Sequence, residues 1–372
     1  MPITGNDLSL YFHVPFCIKK CPYCHFYSIF YKDEFEKAYI EAIKLHINLY
    51  KEVISSKNIV SIYFGGGTPS LLSIKGLNEI LKQIPFDKSE ITIEINPEDI
   101  TEEKISAYKS LGINRVSIGA QSFDDDLLKV LQRRHDSKKS KKVIDLFYNH
   151  GIKNISIDLM YDIMYQDLLS WKKTLAETAN LPITHISLYN LTFEENTLFY
   201  KNKENLSKFL PDENLSLSLL NSAIEEFEKM GFERYEISAF AKNNLSSVHN
   251  LGYWQGRDFL GFGPSAFSYF ESKRFRNICN LKKYLELLKD SLSPIDFEEK
   301  LLYPDNINEL LAINLRIIKG VDINDFEKKF GKIPQETISI LKKSSLVEFQ
   351  NNFIKMNKNG LLFYDTLASE II

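Results

Sequence analysis

LSLYFHVPFCIKKCPYC, residues 8–24, decides how this chain is read. Its first half, Leu8–Val14, is a short apolar and aromatic run of the length a buried strand takes. Its second half holds three of the chain's four cysteines, Cys17, Cys21 and Cys24, within eight residues. A disulfide framework takes an even, dispersed set in a short secreted chain, and this cluster is the opposite. Clustered thiols in a reducing compartment read as metal ligands. Structural zinc takes four nitrogen or sulfur donors, usually as two separated pairs. The adjacent His25 would strain a tetrahedron already holding Cys24. Three thiolates on a cubane iron–sulfur cluster instead leave one iron open, and a substrate's amine and carboxylate can ligate it. Cys279 stands alone and reads as a small buried hydrophobe.

Outward from this segment, short β-rich runs alternate with helical ones. Strands are expected at Leu8–Val14, Ile59–Gly65, Glu90–Asn96, Arg115–Gly119, Asn154–Leu159 and His185–Leu191, with a further one near Phe232–Ile237. Amphipathic helices are expected at Asp33–Ser55, Ile74–Ile84, Glu102–Leu111, Asp124–Leu131, Ser137–His150 and Leu168–Asn180. Such alternation implies βαβ units and a parallel sheet. Six units form either an open doubly wound sheet or a barrel, complete or partial. In barrels the loops after the strands' C-terminal ends build the site, and that is where the cysteines lie. After a polar excursion over 196–211 and a helix at Asp212–Met230, the chain turns aromatic and Gly-rich up to Phe275. From Asp305 a compact helical pattern ends in Asn352–Asn357, a turn at Asn359-Gly360 and Leu361–Asp365, which suggests a winged-helix-like end. The division expected is 1–240, 241–300 as a connecting region, and 301–372.

Composition sets the class. Gly and Pro together make 28 of 372 residues, which excludes collagen-like and low-complexity chains. With 46 basic and 49 acidic residues the net charge is only −3, against a polyanion-coating protein and so against a nucleic-acid partner. The longest uncharged run, Asn58–Ile74, contains three glycines and a proline and is no membrane span. The first residues lack the charged and apolar regions of a signal peptide. A cytoplasmic protein of enzyme size, with no transmembrane segment, is expected.

GGGTPS, residues 65–70, closes the second expected strand. Consecutive glycines let backbone approach a ligand closely and offer free N–H and C=O groups to its polar head. The spacing is neither a P-loop nor a dinucleotide fingerprint. Taken together, Y-x-H-x-P-F-C-x-x-x-C-x-Y-C and G-G-G-T-P-S resemble the radical S-adenosylmethionine (SAM) superfamily, and within it oxygen-independent coproporphyrinogen dehydrogenase and its relatives, from Tyr11 to about Phe270. The resemblance implies a partial (β/α)6 radical-SAM TIM-like barrel with a C-terminal helical, winged-helix-like domain. It implies that Cys17, Cys21 and Cys24 hold a 4Fe-4S cluster whose open iron chelates SAM, and that reduction splits SAM into methionine and a 5′-deoxyadenosyl radical. It further implies SAM contacts from Tyr11, Tyr23, Gly66, Gly67, Thr68, Glu94, Gln121, Arg133 and Asp158. Arg133 suits a carboxylate and Asp158 suits ribose hydroxyls. One departure follows Asp158, where relatives carry a Gly-Leu-Pro turn and this chain reads Tyr161-Asp162-Ile163-Met164.

A second departure divides the family. The dehydrogenase branch carries a fourth cysteine two positions beyond the third, and Phe26 stands there in this chain. HNLGYW, residues 249–254, resembles instead the H-N-x-x-Y-W motif of the haem-chaperone (HemW-type) branch. An imidazole such as His249 can ligate haem iron, and Tyr253 and Trp254 offer flat apolar faces to the macrocycle. The resemblance implies a chaperone that binds haem, the cluster and SAM and passes haem to haem-requiring proteins, respiratory enzymes at the membrane surface among them. The alternatives are the dehydrogenase itself, whose deoxyadenosyl radical would take a β-hydrogen from a propionate on the way to a vinyl group, and a radical-SAM enzyme of another substrate class.

Overall fold

The computed structural model describes residues 5–372. Six strands follow in chain order, β1 (Asp7–Val14), β2 (Asn58–Gly66), β3 (Glu90–Ile95), β4 (Arg115–Gln121), β5 (Asn154–Tyr161) and β6 (His185–Asn190), each parallel to the next. They enclose the concave side of a partial barrel. Helices α1 (Asp33–Leu49), α2 (Ile74–Leu81), α3 (Glu102–Ser110), α4 (Asp125–Val130), α5 (Ser137–Asn149) and α6 (Leu168–Ala179) alternate with the strands as the sequence expects.

The period-two alternation of side chains explains both layers. One face of each strand is aliphatic: Leu10 and Phe12, Ile62 and Phe64, Ile91 and Ile93, Val116 and Ile118, Ile155 and Ile157, and Ile186 are all buried. They share a core with Tyr39 and Ile43 of α1, Leu77 of α2, Tyr108 of α3, Phe147 of α5 and Trp171 of α6. The opposite face carries Ser9, Ser61, Thr92, Arg115, Ser117, Ser156 and His185, equally buried but polar. The serines and the histidine bond across strands, as Ser61 Oγ does to Ser9 Oγ at 2.9 Å and Ser156 Oγ to His185 Nδ1 at 2.8 Å. Pairing of this kind offsets the cost of burying a polar group.

The sheet continues at both edges. Beyond β6 lie β7 (Glu233–Glu236) and β8 (Ala239–Ala241), antiparallel. Beyond β1, β9 (Phe259–Phe262) is parallel, followed by antiparallel β10 (Phe267–Phe270), β11 (Lys273–Asn277) and β12 (Ile295–Glu299). The sequence reading places no strand at 259–299. Between β8 and β9 sits α7 (Val248–Trp254).

The C-terminal part runs α8 (Asp305–Leu315), β13 (Val321–Asp322), α9 (Ile323–Phe330), α10 (Gln335–Lys343) and a hairpin of β14 (Val347–Gln350) and β15 (Phe353–Met356), with β13 pairing β15. That order is winged-helix-like, with its own core around Leu311, Leu315, Phe326 and Leu341. Two sequence expectations are corrected. The hairpin turns at Asn351-Asn352, both left-handed at φ 47° and 69°, because Gln350 pairs with Phe353 and leaves a two-residue loop that asparagine suits. Asn359-Gly360 lies instead in a short helix, Lys358–Leu362, where a Cβ on Gly360 would run into the Leu346 carbonyl oxygen. Cys279 is exposed rather than buried.

Candidate functional site

The cysteine loop springs from the C-terminal end of β1. Phe16–Cys17 pairs in parallel with Ile29–Phe30, and Cys24 N–H donates to the Cys21 carbonyl at 3.1 Å, so the loop is pinned at its base and turned at its tip. The three thiols are half-buried and reduced. Thr68 Oγ1 lies 3.6 Å from Cys17 Sγ and Arg133 Nη1 lies 3.5 Å from Cys21 Sγ. Burial pushes the Cys17 thiol up and that of Cys24 up to about 11, and each is raised further by neighbouring thiols. Among the described residues no three His, Cys, Asp or Glu side chains converge as ligands of a single ion. Three soft donors on one loop would suit a cationic iron–sulfur cluster.

The glycine run is held against the same strand end. Gly67 N–H donates to the Val14 carbonyl at 2.8 Å, and a Cβ there would meet the Phe16 and Val14 carbonyl oxygens at 2.7 and 2.9 Å. Only glycine fits. Gly66, at φ +108°, donates its N–H to Glu94 Oε2 at 3.1 Å, and Tyr63 donates its hydroxyl to Glu94 Oε1 at 2.9 Å. Burial, then the nearby Asp158, pushes the Glu94 carboxyl up to about 7. Burial likewise pushes Asp158 up to about 6, although it accepts the Ser117 hydroxyl at 3.2 Å. Arg133 spends Nη2 on the Gly119 carbonyl at 2.8 Å, while its Nε is buried without a partner. Gln121 takes a left-handed φ of 64° at the end of β4, and Tyr11 sets its hydroxyl 3.1 Å from His13 Nδ1.

Tyr11, Gly66, Gly67, Thr68, Glu94, Gln121 and Asp158 are thus carried by β1–β5 toward the end that bears the cysteine loop, and Arg133 reaches it from the segment after α4. Tyr23 packs its ring 6.2 Å from Phe199. A guanidinium suits a zwitterion's carboxylate, and two carboxyls suit its ammonium and hydroxyls, so a donor set of this chemistry would fit SAM. Where the Gly-Leu-Pro turn is missing, Asp162 takes φ 59° and accepts the Ser216 hydroxyl at 2.8 Å, while Ile163 and Met164 bury themselves in a cluster that Tyr23 packs against.

HNLGYW forms α7, which docks against the N-terminal ends of the strands. Glu90, first residue of β3, accepts the backbone N–H groups of Val248 and His249, both at 3.1 Å. His249 is 1% exposed: Nδ1 lies 2.9 Å from Ser61 Oγ, Nε2 lies 2.7 Å from the Tyr253 hydroxyl, and the ring stacks on Tyr63 at 4.9 Å. Burial takes its pKa down to about 3. A largely apolar cavity of about 480 Å³ opens beside it between β9–β10, α7 and α8. Tyr253 and Trp254 line that cavity and His249 does not. Tyr11, His13 and Tyr27 line it from the cysteine-loop side, so it adjoins both sets of motif residues. The sequence reading missed Glu90, Ser61, Tyr27 and Arg257. The signal for the first two was present, since they are the polar alternate positions of otherwise aliphatic strands.

The profile of the radical SAM superfamily matches residues 11–174. A protein of Bacillus subtilis named "Heme chaperone HemW" is 31% identical over 87% of each chain. Its namesake in Haemophilus influenzae is 34% identical over 97% of this chain and 96% of that one. Among solved structures, the coproporphyrinogen III oxidase HemN of Escherichia coli superposes with a TM-score of 0.85 over 98% of this chain and 89% of that one, at 22% identity, which speaks for the fold. No helix of the described residues is long and apolar enough to cross a membrane. The chain belongs to the radical SAM superfamily and, among its HemN-like proteins, to the HemW family.

Proposed function

We propose that this protein binds haem in the cavity beside α7 and hands it to haem-requiring proteins, with a 4Fe-4S cluster on Cys17, Cys21 and Cys24 and SAM bound beside it. One observation carries the reading: a single apolar cavity is walled on one side by Tyr253 and Trp254 and on the other by Tyr11, His13 and Tyr27 next to the cysteine loop. A flat macrocycle there would lie within reach of events at the cluster. The family's names support haem as the cargo. The bound cluster and SAM supply a site that responds to reduction. Tyr11, Gly66, Gly67, Thr68, Glu94, Gln121, Arg133 and Asp158 orient SAM, and Tyr23 props the loop. For His249 to ligate haem iron, Tyr253 gives up the hydrogen bond it shares with Nε2. The acceptor proteins, respiratory enzymes at the membrane surface among them, belong to the same proposal.

The test is anaerobic reconstitution followed by parallel haem-binding and porphyrinogen-conversion assays. Haem binding with coproporphyrinogen III left unconverted is expected. Formation of protoporphyrinogen IX would overturn the chaperone reading in favour of the dehydrogenase.

A further inference from the structure

Haem iron takes a nitrogen, sulfur or oxygen donor from the protein, most often an imidazole. The chain has seven histidines. Five of them, His13, His46, His135, His185 and His249, are buried, and each has at least one ring nitrogen in a hydrogen bond. His150, half-buried at the end of α5, sets Nδ1 2.8 Å from the Leu146 carbonyl oxygen. Among the described residues only His13 and His25 line the cavity. Both nitrogens of His13 are spent, Nε2 on the Tyr27 carbonyl at 2.8 Å and Nδ1 beside the Tyr11 hydroxyl at 3.1 Å. His25 is different. It is exposed on the cavity wall and enters no hydrogen bond or ion pair among the described residues. The phenols nearest in role are also engaged, Tyr253 with His249, and Tyr27 as acceptor of the Leu281 N–H at 3.2 Å.

The backbone that carries His25 is fixed. Lys20 Nζ donates to the Phe26 carbonyl at 3.0 Å, His13 holds the Tyr27 carbonyl, and the Phe26 ring lies 4.5 Å from the imidazole. A donor held in this way loses little freedom when it binds. We propose that His25 ligates the iron of haem from the cysteine-loop side of the cavity. This deepens the haem reading above and rests on it. An exposed imidazole on the wall meets the iron in the fold as it stands. His249 does not line the cavity, and its Nε2 is covered by the Tyr253 hydroxyl. Ligation forms one coordinate bond and needs no oxidant or reductant. His25 also follows Cys24 directly, and adjacent Cα atoms are about 3.8 Å apart. Cargo and cluster are then tied to neighbouring residues, so whatever shifts the backbone at Cys24 shifts the haem ligand.

Titration of the anaerobically reconstituted full-length protein with ferric haem, followed by the Soret band, tests this. His25→Ala is expected to bind haem about tenfold or more weakly and to shift the band. His25→Tyr offers a phenolate in place of the imidazole and is expected to give the spectrum of an oxygen-ligated iron. Both variants keep the three cysteines and are expected to hold wild-type amounts of iron and sulfide. Wild-type band and affinity in His25→Ala overturn the ligand and leave the haem reading standing. Loss of the cluster from both variants also overturns it, since the imidazole then serves the loop's own metal. No haem binding by wild type overturns the haem reading and the ligand with it.

Discussion

The Tyr253 hydroxyl lies 2.7 Å from His249 Nε2, one helical turn away on α7, and so covers the nitrogen that would meet an iron. Burial holds this imidazole neutral, with its pKa near 3, so its lone pair is available at any physiological pH once the hydroxyl withdraws. Haem titration is expected to show that Tyr253→Phe keeps the wild-type Soret band and acquires it faster. His249→Ala is expected to weaken binding by about tenfold or more. The reverse pattern, band lost in Tyr253→Phe and kept in His249→Ala, would make the phenol the ligand.

The thiols of Cys17, Cys21 and Cys24 share one loop, whereas Cys279 is exposed in the segment between β11 and the helix Leu281–Lys289. After anaerobic reconstitution, iron and sulfide analysis is expected to find the full complement in Cys279→Ala and a loss of the SAM-sensitive signal in Cys21→Ala. An intact signal in Cys21→Ala would show that the ligands are misassigned.

Gly67 has carbonyl oxygens where a side chain would begin. Gly67→Ala must push the glycine run away from the end of β1, at a cost of about 1–3 kcal/mol from overpacking. A lower melting temperature and weaker SAM binding by calorimetry are expected together. Unchanged SAM affinity would remove this run from the binding surface.

Glu94 gives stability a particular dependence on pH. Its folded pKa, about 7, lies above the ordinary glutamate value of 4.5. The stabilisation linked to its protonated form is therefore complete below about 4.5 and lost as pH rises through about 7. Glu94→Gln cannot ionise. In thermal melts without SAM, the variant is expected to gain on wild type between pH 5 and pH 8, whatever constant offset its altered hydrogen bonds to Tyr63 and Gly66 impose. A constant difference across that range would show that Glu94 is not held in this state.

How far the sequence could be read follows from what each element buries. The six core strands were legible because one face of each is a row of Ile, Leu, Val or Phe, and the helices because their apolar faces meet that row. The edge strands β11 and β12 were not. They hold together through cross-strand ion pairs, Lys273 with Glu298, Arg274 with Glu299 and Arg276 with Asp296, and such charge-rich edges carry no apolar alternation. α7 is seven residues long, too short for a period to show, and its place is set by Glu90, which comes 158 residues before Val248. The cysteine and glycine motifs were legible as chemistry. The cavity was not, since its wall draws on β1, the cysteine loop, α7, β9, β10 and α8, which only the folded chain brings together.

Strand β9 pairs with β1, Ser9 opposite Phe259 and Phe12 opposite Phe262. A ribosome therefore releases every cysteine, glycine and carboxylate of the cofactor end long before it makes the strand that finishes the cavity. Contacts so distant along the chain form slowly, because the intervening loop must close first. A nascent chain can thus emerge with its cysteine loop and glycine run long before the cavity exists, because the far wall of that cavity is not made until synthesis has entered the last third. Assembly order is written into the topology: the cysteine loop first, the cavity afterwards.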